Sequence, residues 1–372
     1  MTSELFSPFS LRGLTLPNRI VVSPMCQYSA DEGSATDWHM MHLGSLALGS
    51  PGLLIFEATA VEAIGRITPG CLGLYNDANE AALERVLRGL RRWTSTPVGI
   101  QLAHAGRKGS SHVPWETGML IPAGAPGGWR PAAPSALPLR DDEPAPEALD
   151  AAGIARIRGA FAATTRRAVR LGFDALELHS AHGYLLHEFL SPISNRRTDE
   201  YGGSIENRMR LPLEVFDTVR AIWPANKPLG VRISATDWVE GGWDPGQTLV
   251  FAHALKVRGC DWIDCSSGGV SPQQKIPLGP GYQVPLASQI RRQTGIATMA
   301  VGLITDPLHA QQIIDSGDAD LVAVGRGMLW DPRWAWHAAA QLGGTVNAPV
   351  QYWRSPPKEA GRVFGDTPIG MR

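Results

Sequence analysis

Residues 177–210 read ELHSAHGYLLHEFLSPISNRRTDEYGGSIENRMR, and their reading decides the fold. The run Ala175-Leu176-Glu177-Leu178 leads into them and ends a buried strand. His179, His182 and Tyr184 follow within six positions, then a polar segment rich in Asn, Arg and Asp, then an amphipathic helix with Ser204 as its cap. Two imidazoles and a phenol at one strand end make a compact set of neutral donors. Such a set can hold an oxyanion and deliver a proton to a neighbouring carbon. Two plainer readings compete. A single histidine at a strand end is commonly a hydrogen-bonded structural residue, and His-x-x-His can set two zinc ligands on one helical face. No cysteine or carboxylate stands at ligand spacing, and His187-Glu188 has no histidine three positions on, so no metal is expected.

Outward from this stretch the chain alternates between short apolar runs and amphipathic segments. Strands are predicted over 20–22, 53–58, 98–102, 173–178, 229–233, 262–265, 296–301 and 321–324. Helices are predicted over 36–48, 79–93, 149–171, 204–223, 244–258, 286–294, 306–316 and 333–342, with Thr36 or Asp37 and Asn79 as caps of the first two. Residues 1–18 read as an irregular, proline-bearing lead-in. Parallel strands buried on both faces read as continuous apolar runs, as these do. Eight strand–helix units predict a (β/α)8 TIM barrel as one domain over 1–372. The first unit lacks G-x-G-x-x-G, which argues against a doubly wound dinucleotide fold.

The rhythm breaks over 109–146, which is dense in Pro and Gly. A loop this long in a compact domain is usually functional, so residues 105–148 are expected to form a capping insertion after the third strand. Trp115, Met119, Leu120 and Trp129 argue that it packs on something rather than being disordered.

The composition narrows the possibilities. Thirty-four Lys and Arg balance 35 Asp and Glu, so no nucleic acid or anionic membrane is attracted by net charge. Cys26, Cys71, Cys260 and Cys265 show no C-x-x-C spacing and no disulfide framework, which points to a reducing, cytoplasmic compartment. The first residues lack a basic segment followed by an apolar one, so no signal peptide is expected, and no apolar run is long enough to span a bilayer.

In such a barrel the active site lies at the C-terminal strand ends. Strand by strand these ends present Ser23, Pro24, Met25 and Cys26; Ala58 and Thr59; Gln101 and His104; His179 and His182; Arg232; Ser267 and Gly268; Gly302; and Gly325 with Arg326. Gly after the seventh strand and Gly-Arg after the eighth match the usual phosphate site, where backbone amides approach closely and a guanidinium binds in two-pronged fashion. No carboxylate pair, Ser-His-Asp set or strand-end lysine offers hydrolytic or Schiff-base chemistry. Amide, imidazole, guanidinium, phenol and thiol groups around a phosphate site suit flavin mononucleotide, with Gln101 at its pyrimidine edge and Arg232 offsetting charge on the reduced ring. The alternative is a non-catalytic barrel that binds a phosphorylated ligand.

Seven segments carry a family resemblance. They are PNRIVVSPMCQYS (17–29), TDWHMMHLG (36–44), QLAHAGRK (101–108), the stretch 179–210, AVGLITDP (300–307), VGRGMLWDP (324–332) and APVQYWR (348–354). In this order the sequence resembles the Old Yellow Enzymes, FMN-dependent ene-reductases, in their thermophilic-like or xenobiotic-reductase branch. The resemblance implies an NADPH dehydrogenase that takes NADPH or NADH as a transient reductant and reduces activated alkenes or nitro compounds. His179 and His182 would bind the substrate oxygen, and Tyr184 would protonate the α-carbon. Ser23, Pro24, Met25, Cys26, Ala58, Gln101, Arg232, Ser267, Gly302, Gly325 and Arg326 would hold FMN, with Cys26 tuning the ring. Tyr28 would line the substrate pocket with its phenol, and Lys108 would lie near the entrance. Arg354, in a tail over 343–372 at a subunit interface, would reach a neighbouring active site in a dimer or dimer-based tetramer. One departure stands at Val301, where branch members can carry a tryptophan.

Overall fold

The computed structural model describes residues 3–367. Eight parallel strands close a barrel: β1 (Ile20–Val22), β2 (Leu53–Ala60), β3 (Val98–Ala103), β4 (Ala175–Ser180), β5 (Leu229–Ser234), β6 (Trp262–Ser266), β7 (Ala297–Ala300) and β8 (Leu321–Val324). Each pairs with the next in sequence, and β8 returns to β1 through Val322↔Ile20 and Val324↔Val22. Helices α1 (Asp37–Ala47), α2 (Asp77–Trp93), α3 (Ala151–Leu171), α4 (Ile205–Ile222), α5 (Pro245–Val257), α6 (Val284–Thr294), α7 (Pro307–Asp315) and α8 (Trp334–Leu342) follow the strands in turn. The expected TIM barrel is therefore the observed fold. Every residue of β2 is buried, which is why it opens as the apolar run Leu53-Leu54-Ile55-Phe56, with Glu57 and Thr59 its buried polar residues.

Local chemistry starts the helices where the chain leaves each strand. Asp150, Ser204, Asp244 and Asp306 each accept a backbone N–H of the first turn of α3, α4, α5 and α7, caps whose loss costs about 1 kcal/mol apiece. The cap of α2 is Asn76 rather than Asn79: Asn76 Oδ1 accepts the Asn79 N–H at 2.8 Å. The Asn79 side chain is instead buried, donating to Glu32 O and Ser34 Oγ.

Two stretches differ from their sequence reading. The lead-in holds an antiparallel hairpin, Phe9–Leu11 with Leu14–Leu16, turned by Arg12 at a φ of 51°. Arginine in the left-handed region is no turn signal, so the hairpin is invisible to local rules. Its Leu11 and Leu16 join Val21, Ile55, Met299 and Leu321 to fill the N-terminal end of the barrel. In the insertion, Trp129 is half-buried and its Nε1 donates to Ile64 O at 3.0 Å, but Trp115 and Met119 are largely exposed and the buried anchor is Ile121. Two short strands, Ala132–Ala133 and Glu147–Ala148, pair within it.

The interior is built around close contacts. Gly230 on β5 lets the Trp262 ring of β6 lie across it; a Cβ there would come within 1.9 Å of the indole. No helix among the described residues is long and apolar enough to cross a membrane.

Candidate active site

The end of β4 turns sharply. His182 adopts a φ of 59° and Gly183 one of 73°, which sends the chain from His179 round to Tyr184 and into the short helix Leu185–Leu190. Left-handed backbone on a histidine is costly and needs support. Ser234 Oγ accepts the His182 N–H at 2.9 Å, and buried His187 accepts the Gly183 N–H through Nδ1 at 2.8 Å. Asp237 in turn holds His187 Nε2 at 2.9 Å.

This turn brings three rings together. His179 packs edge to face against His182 at 5.1 Å and against Tyr184 at 4.8 Å between centroids. His179 Nδ1 accepts the Ala181 N–H at 3.2 Å, so its neutral ring carries the proton on Nε2. That nitrogen lies 3.4 Å from His182 Nδ1. His182 Nε2 is 2.5 Å from Ser266 Oγ on β6. Burial first, and the Arg232 charge second, hold both imidazoles well below their usual pKa, so both are neutral. Burial likewise pushes the Tyr184 phenol well above its usual range. Among the described residues none accepts a hydrogen bond from its hydroxyl.

Beside the rings opens a cavity of about 320 Å3. Ser23, Pro24, Met25, His182, Arg232, Val301, Gly302, Gly325 and Arg326 line it. At its inner end Arg232 Nη1 donates to Ser23 Oγ at 3.1 Å. At its outer end Arg326 is exposed and forms no ion pair among the described residues. Gly302 sits at a φ of 128°, and a Cβ on it would press within 3.1 Å of Gln283 and Tyr282.

The other predicted residues do not line this cavity. Gln101 is buried, and its Nε2 donates to Glu177 Oε1 at 2.8 Å, which leaves the amide oxygen as its free acceptor. Ala58 pairs with Gln101 in register, after a bulge at Glu57. Ser267 Oγ donates to Gln283 Oε1 at 2.7 Å. Cys26 is half-buried with Cys71 as its neighbour, whose thiol, together with burial, holds Cys26 protonated. Tyr28 and Lys108 line a second, smaller cavity of about 150 Å3 under the insertion. Tyr28 meets Trp115 edge to face at 5.5 Å. The Lys108 ammonium reaches inward, donating to His182 O at 2.8 Å and Gly269 O at 3.0 Å, 5.2 Å from the Tyr184 ring centroid. Burial lowers its pKa to about 8. Arg354 lies exposed in the tail and lines neither cavity.

The sequence signature of the NADH:flavin oxidoreductase / NADH oxidase family spans residues 4–344. This chain belongs to that family. It is 46% identical over 356 residues to an NADPH dehydrogenase of Geobacillus thermodenitrificans, covering 95% of this chain and 99% of the relative. Among solved structures, morphinone reductase in complex with tetrahydroNAD superposes with a TM-score of 0.74 at 29% identity over 96% of this chain and 93% of that one. The old yellow enzyme homologue of Zymomonas mobilis does so with 0.74 at 26% identity over 96% and 98%. A 2-naphthoyl-CoA reductase matches with 0.81 at 22% identity over 92% of this chain; the chain spans about half of it, 52%, and the likeness is one of fold.

The flavoenzyme is thus an FMN-dependent oxidoreductase reduced by NAD(P)H, and the non-catalytic barrel is set aside. The donor set fits FMN. A free amide acceptor on Gln101 suits the imide N–H of the pyrimidine ring, a buried guanidinium suits its acceptor edge, and the glycine cradle with unpaired Arg326 suits the phosphate. Sequence reasoning missed Ser266, Gln283 and Tyr282, which lie 80 or more residues from the histidine stretch, and Glu177, an acid inside an apolar run.

Proposed function

We propose that this flavoenzyme reduces the activated C=C bond of α,β-unsaturated carbonyl compounds, and nitro compounds of similar shape. FMN held in the cavity would, once reduced, supply the hydride that the β-carbon takes. His179 Nε2 and His182 Nδ1 converge from 3.4 Å apart, and this pair carries the reading. Ser266 Oγ donates to Gln283 Oε1 at 3.4 Å; a substrate oxygen entering between the two rings would turn that proton to His182 Nε2 and leave the Nδ1 of His182 as an N–H. Both imidazoles then aim a donor at one point, where a carbonyl oxygen gains negative charge in the transition state. Being neutral, they stabilise that oxygen without delivering a full proton. Tyr184, protonated at any working pH, gives its proton to the α-carbon. Ser23, Pro24, Met25, Cys26, Ala58, Gln101, Arg232, Ser267, Gly302, Gly325 and Arg326 hold the cofactor.

Tyr28 and Lys108 bound the substrate entrance, and the insertion over 105–148 caps it within a single barrel domain. The cavity wall at Val301 leaves more room than a tryptophan would. The tail over 343–372 sits at a subunit interface of a dimer or dimer-based tetramer, with Arg354 reaching a neighbouring site; residues 368–372 of it, like 1 and 2, lie outside the described residues. Four unpaired thiols support a cytoplasmic placement.

An anaerobic absorbance titration tests the reaction. Yellow protein should bleach with NADPH and regain its colour on adding 2-cyclohexenone. A protein that bleaches but is not reoxidised by the enone would refute the substrate class.

A further inference from the structure

Two carboxylates are sealed in the barrel interior with a single guanidinium. Glu177 on β4 is 1% exposed, Asp264 on β6 0% and Arg232 on β5 7%. Gln101 Nε2 and Trp262 Nε1 donate to the two Glu177 oxygens at 2.8 and 3.1 Å. Asp264 is the register partner of Arg232, with Oδ2 3.2 Å from Nε. The guanidinium is poorly aligned, so neither Asp264 oxygen nor Arg232 Nε completes a hydrogen bond. The remaining neighbours bring no charge. β3 offers the Gln101 amide, β4 the neutral His179, and β6 the thiols of Cys260 and Cys265, which burial keeps protonated. Leu16, Val21, Ile55 and Met299 pack around Trp262 as an apolar floor.

Electroneutrality sets the protonation of this cluster. Two ionised acids and one guanidinium would leave a net negative charge far from water, which is costly. One shared proton makes the cluster neutral. Burial first and Asp264 second push Glu177 up to about 8, and burial raises Asp264 as well. The same Arg232 lines the cavity, and Gln101, assigned above to the flavin's pyrimidine edge, donates to Glu177.

We propose that Glu177 and Asp264 form a buried proton-binding site coupled to the redox state of the bound flavin, holding one proton while the flavin is oxidised and two when it is reduced. This rests on the assignment of Gln101 and Arg232 to FMN. Hydride delivery from NAD(P)H adds one negative charge to the bound ring. Arg232 then faces that charge and the carboxylate together, and a second proton from water binds the carboxylate, forming an O–H bond. When the substrate takes the hydride, the proton returns to solvent. The pair needs no other oxidant or reductant, and the proton used on the α-carbon remains that of Tyr184.

The test uses the FMN-loaded enzyme. Reduced-minus-oxidised infrared spectra in H2O and D2O should show a protonated carboxylic acid band that appears on reduction, shifts on deuteration and is lost in Glu177→Gln or Asp264→Asn. Around pH 8 the midpoint potential should fall with the slope of two protons per two electrons. That is about 30 mV per pH unit steeper than one proton gives. Glu177→Gln should return it to the one-proton slope. A wild-type enzyme with no acid band and a one-proton slope overturns the proposal. If both variants fail to fold, the wild-type spectra and slope decide alone. A protein that binds no FMN would instead overturn the cofactor assignment beneath it, whereas a yellow protein without the acid band overturns the proton site only.

Discussion

The Ser266 hydroxyl stands 2.5 Å from Nε2 of His182, and the two come from different strands, 84 residues apart. The contact matters because a neutral imidazole has one proton and two places to put it. When Ser266 turns its proton from Gln283 Oε1 to His182, as the proposed substrate complex requires, the imidazole proton is on Nδ1, the nitrogen that faces His179. Ser266→Ala frees the ring to take the other tautomer, which turns a donor toward the substrate oxygen into an acceptor. Losing one such hydrogen bond, about 1 kcal/mol, should weaken enone binding roughly fivefold to tenfold. Stopped-flow reoxidation at several enone concentrations reads this as a higher half-saturation, with FMN content unchanged.

Tyr184→Phe removes the proton donor but leaves the ring that packs on His179. Reoxidation of the flavin by an enone should slow by about 10²- to 10⁴-fold, the usual contribution of general acid catalysis. Reduction by NADPH should stay within about twofold, because it needs no proton from Tyr184. Equal loss in both half-reactions, measured separately under anaerobic conditions, would remove Tyr184 from this role.

Glu188 is wholly buried, its Oε1 accepting the Arg107 N–H at 2.8 Å and its Oε2 without a partner. Burial raises its pKa to about 8. The folded protein then holds a proton that the unfolded chain releases above about pH 4.3, so this group's stability is full below that pH and is lost as pH rises toward 8. Glu188→Gln should flatten that fall. Urea midpoints of the two proteins should diverge steadily from pH 5 to pH 8, the variant being the more stable at the upper end.

Gly230→Ala puts a methyl into the Trp262 indole. The ring must move, or the strand must, at a cost of about 1–3 kcal/mol for an overpacked core. The same displacement would take Trp262 Nε1 off Glu177. A lowered denaturation midpoint together with a red-shifted Trp emission is the expected result.

Arg326 is the exposed cation at the outer end of the larger cavity. A charged hydrogen bond to phosphate contributes about 1.5–3 kcal/mol, so Arg326→Gln should raise the FMN dissociation constant by about 10- to 100-fold. Fluorescence titration of the apoprotein with FMN measures this, and riboflavin, which lacks the phosphate, should bind both proteins alike.

Much of the fold is legible in the sequence. Eight largely apolar runs with helices between them imply the barrel, because strands covered on both faces bury most of their side chains away from water. Asp150, Ser204, Asp244 and Asp306 mark helix starts, since a cap is a contact between residues two or three apart. The hairpin at Arg12 is not legible, because its left-handed turn residue is not of the usual kind and its leucines are buried by distant strands. Trp115 reads as an anchor by its hydrophobicity, yet the insertion leaves it at the surface beside Tyr28.

By itself the sequence determined the order of strands and helices, the strand ends where chemistry can sit, and the identity of the donors there. These depend on composition and short-range spacing. Only the tertiary structure decided which hydroxyl meets His182 Nε2, which amide atom of Gln101 is free, and that Asp264 is sealed against the Arg232 guanidinium. Each of those depends on a partner from another strand, Ser266 for His182, Glu177 for Gln101 and Arg232 for Asp264. Barrel closure is what brings them within hydrogen-bond range, and burial is what makes an unmatched proton there too costly to leave to chance.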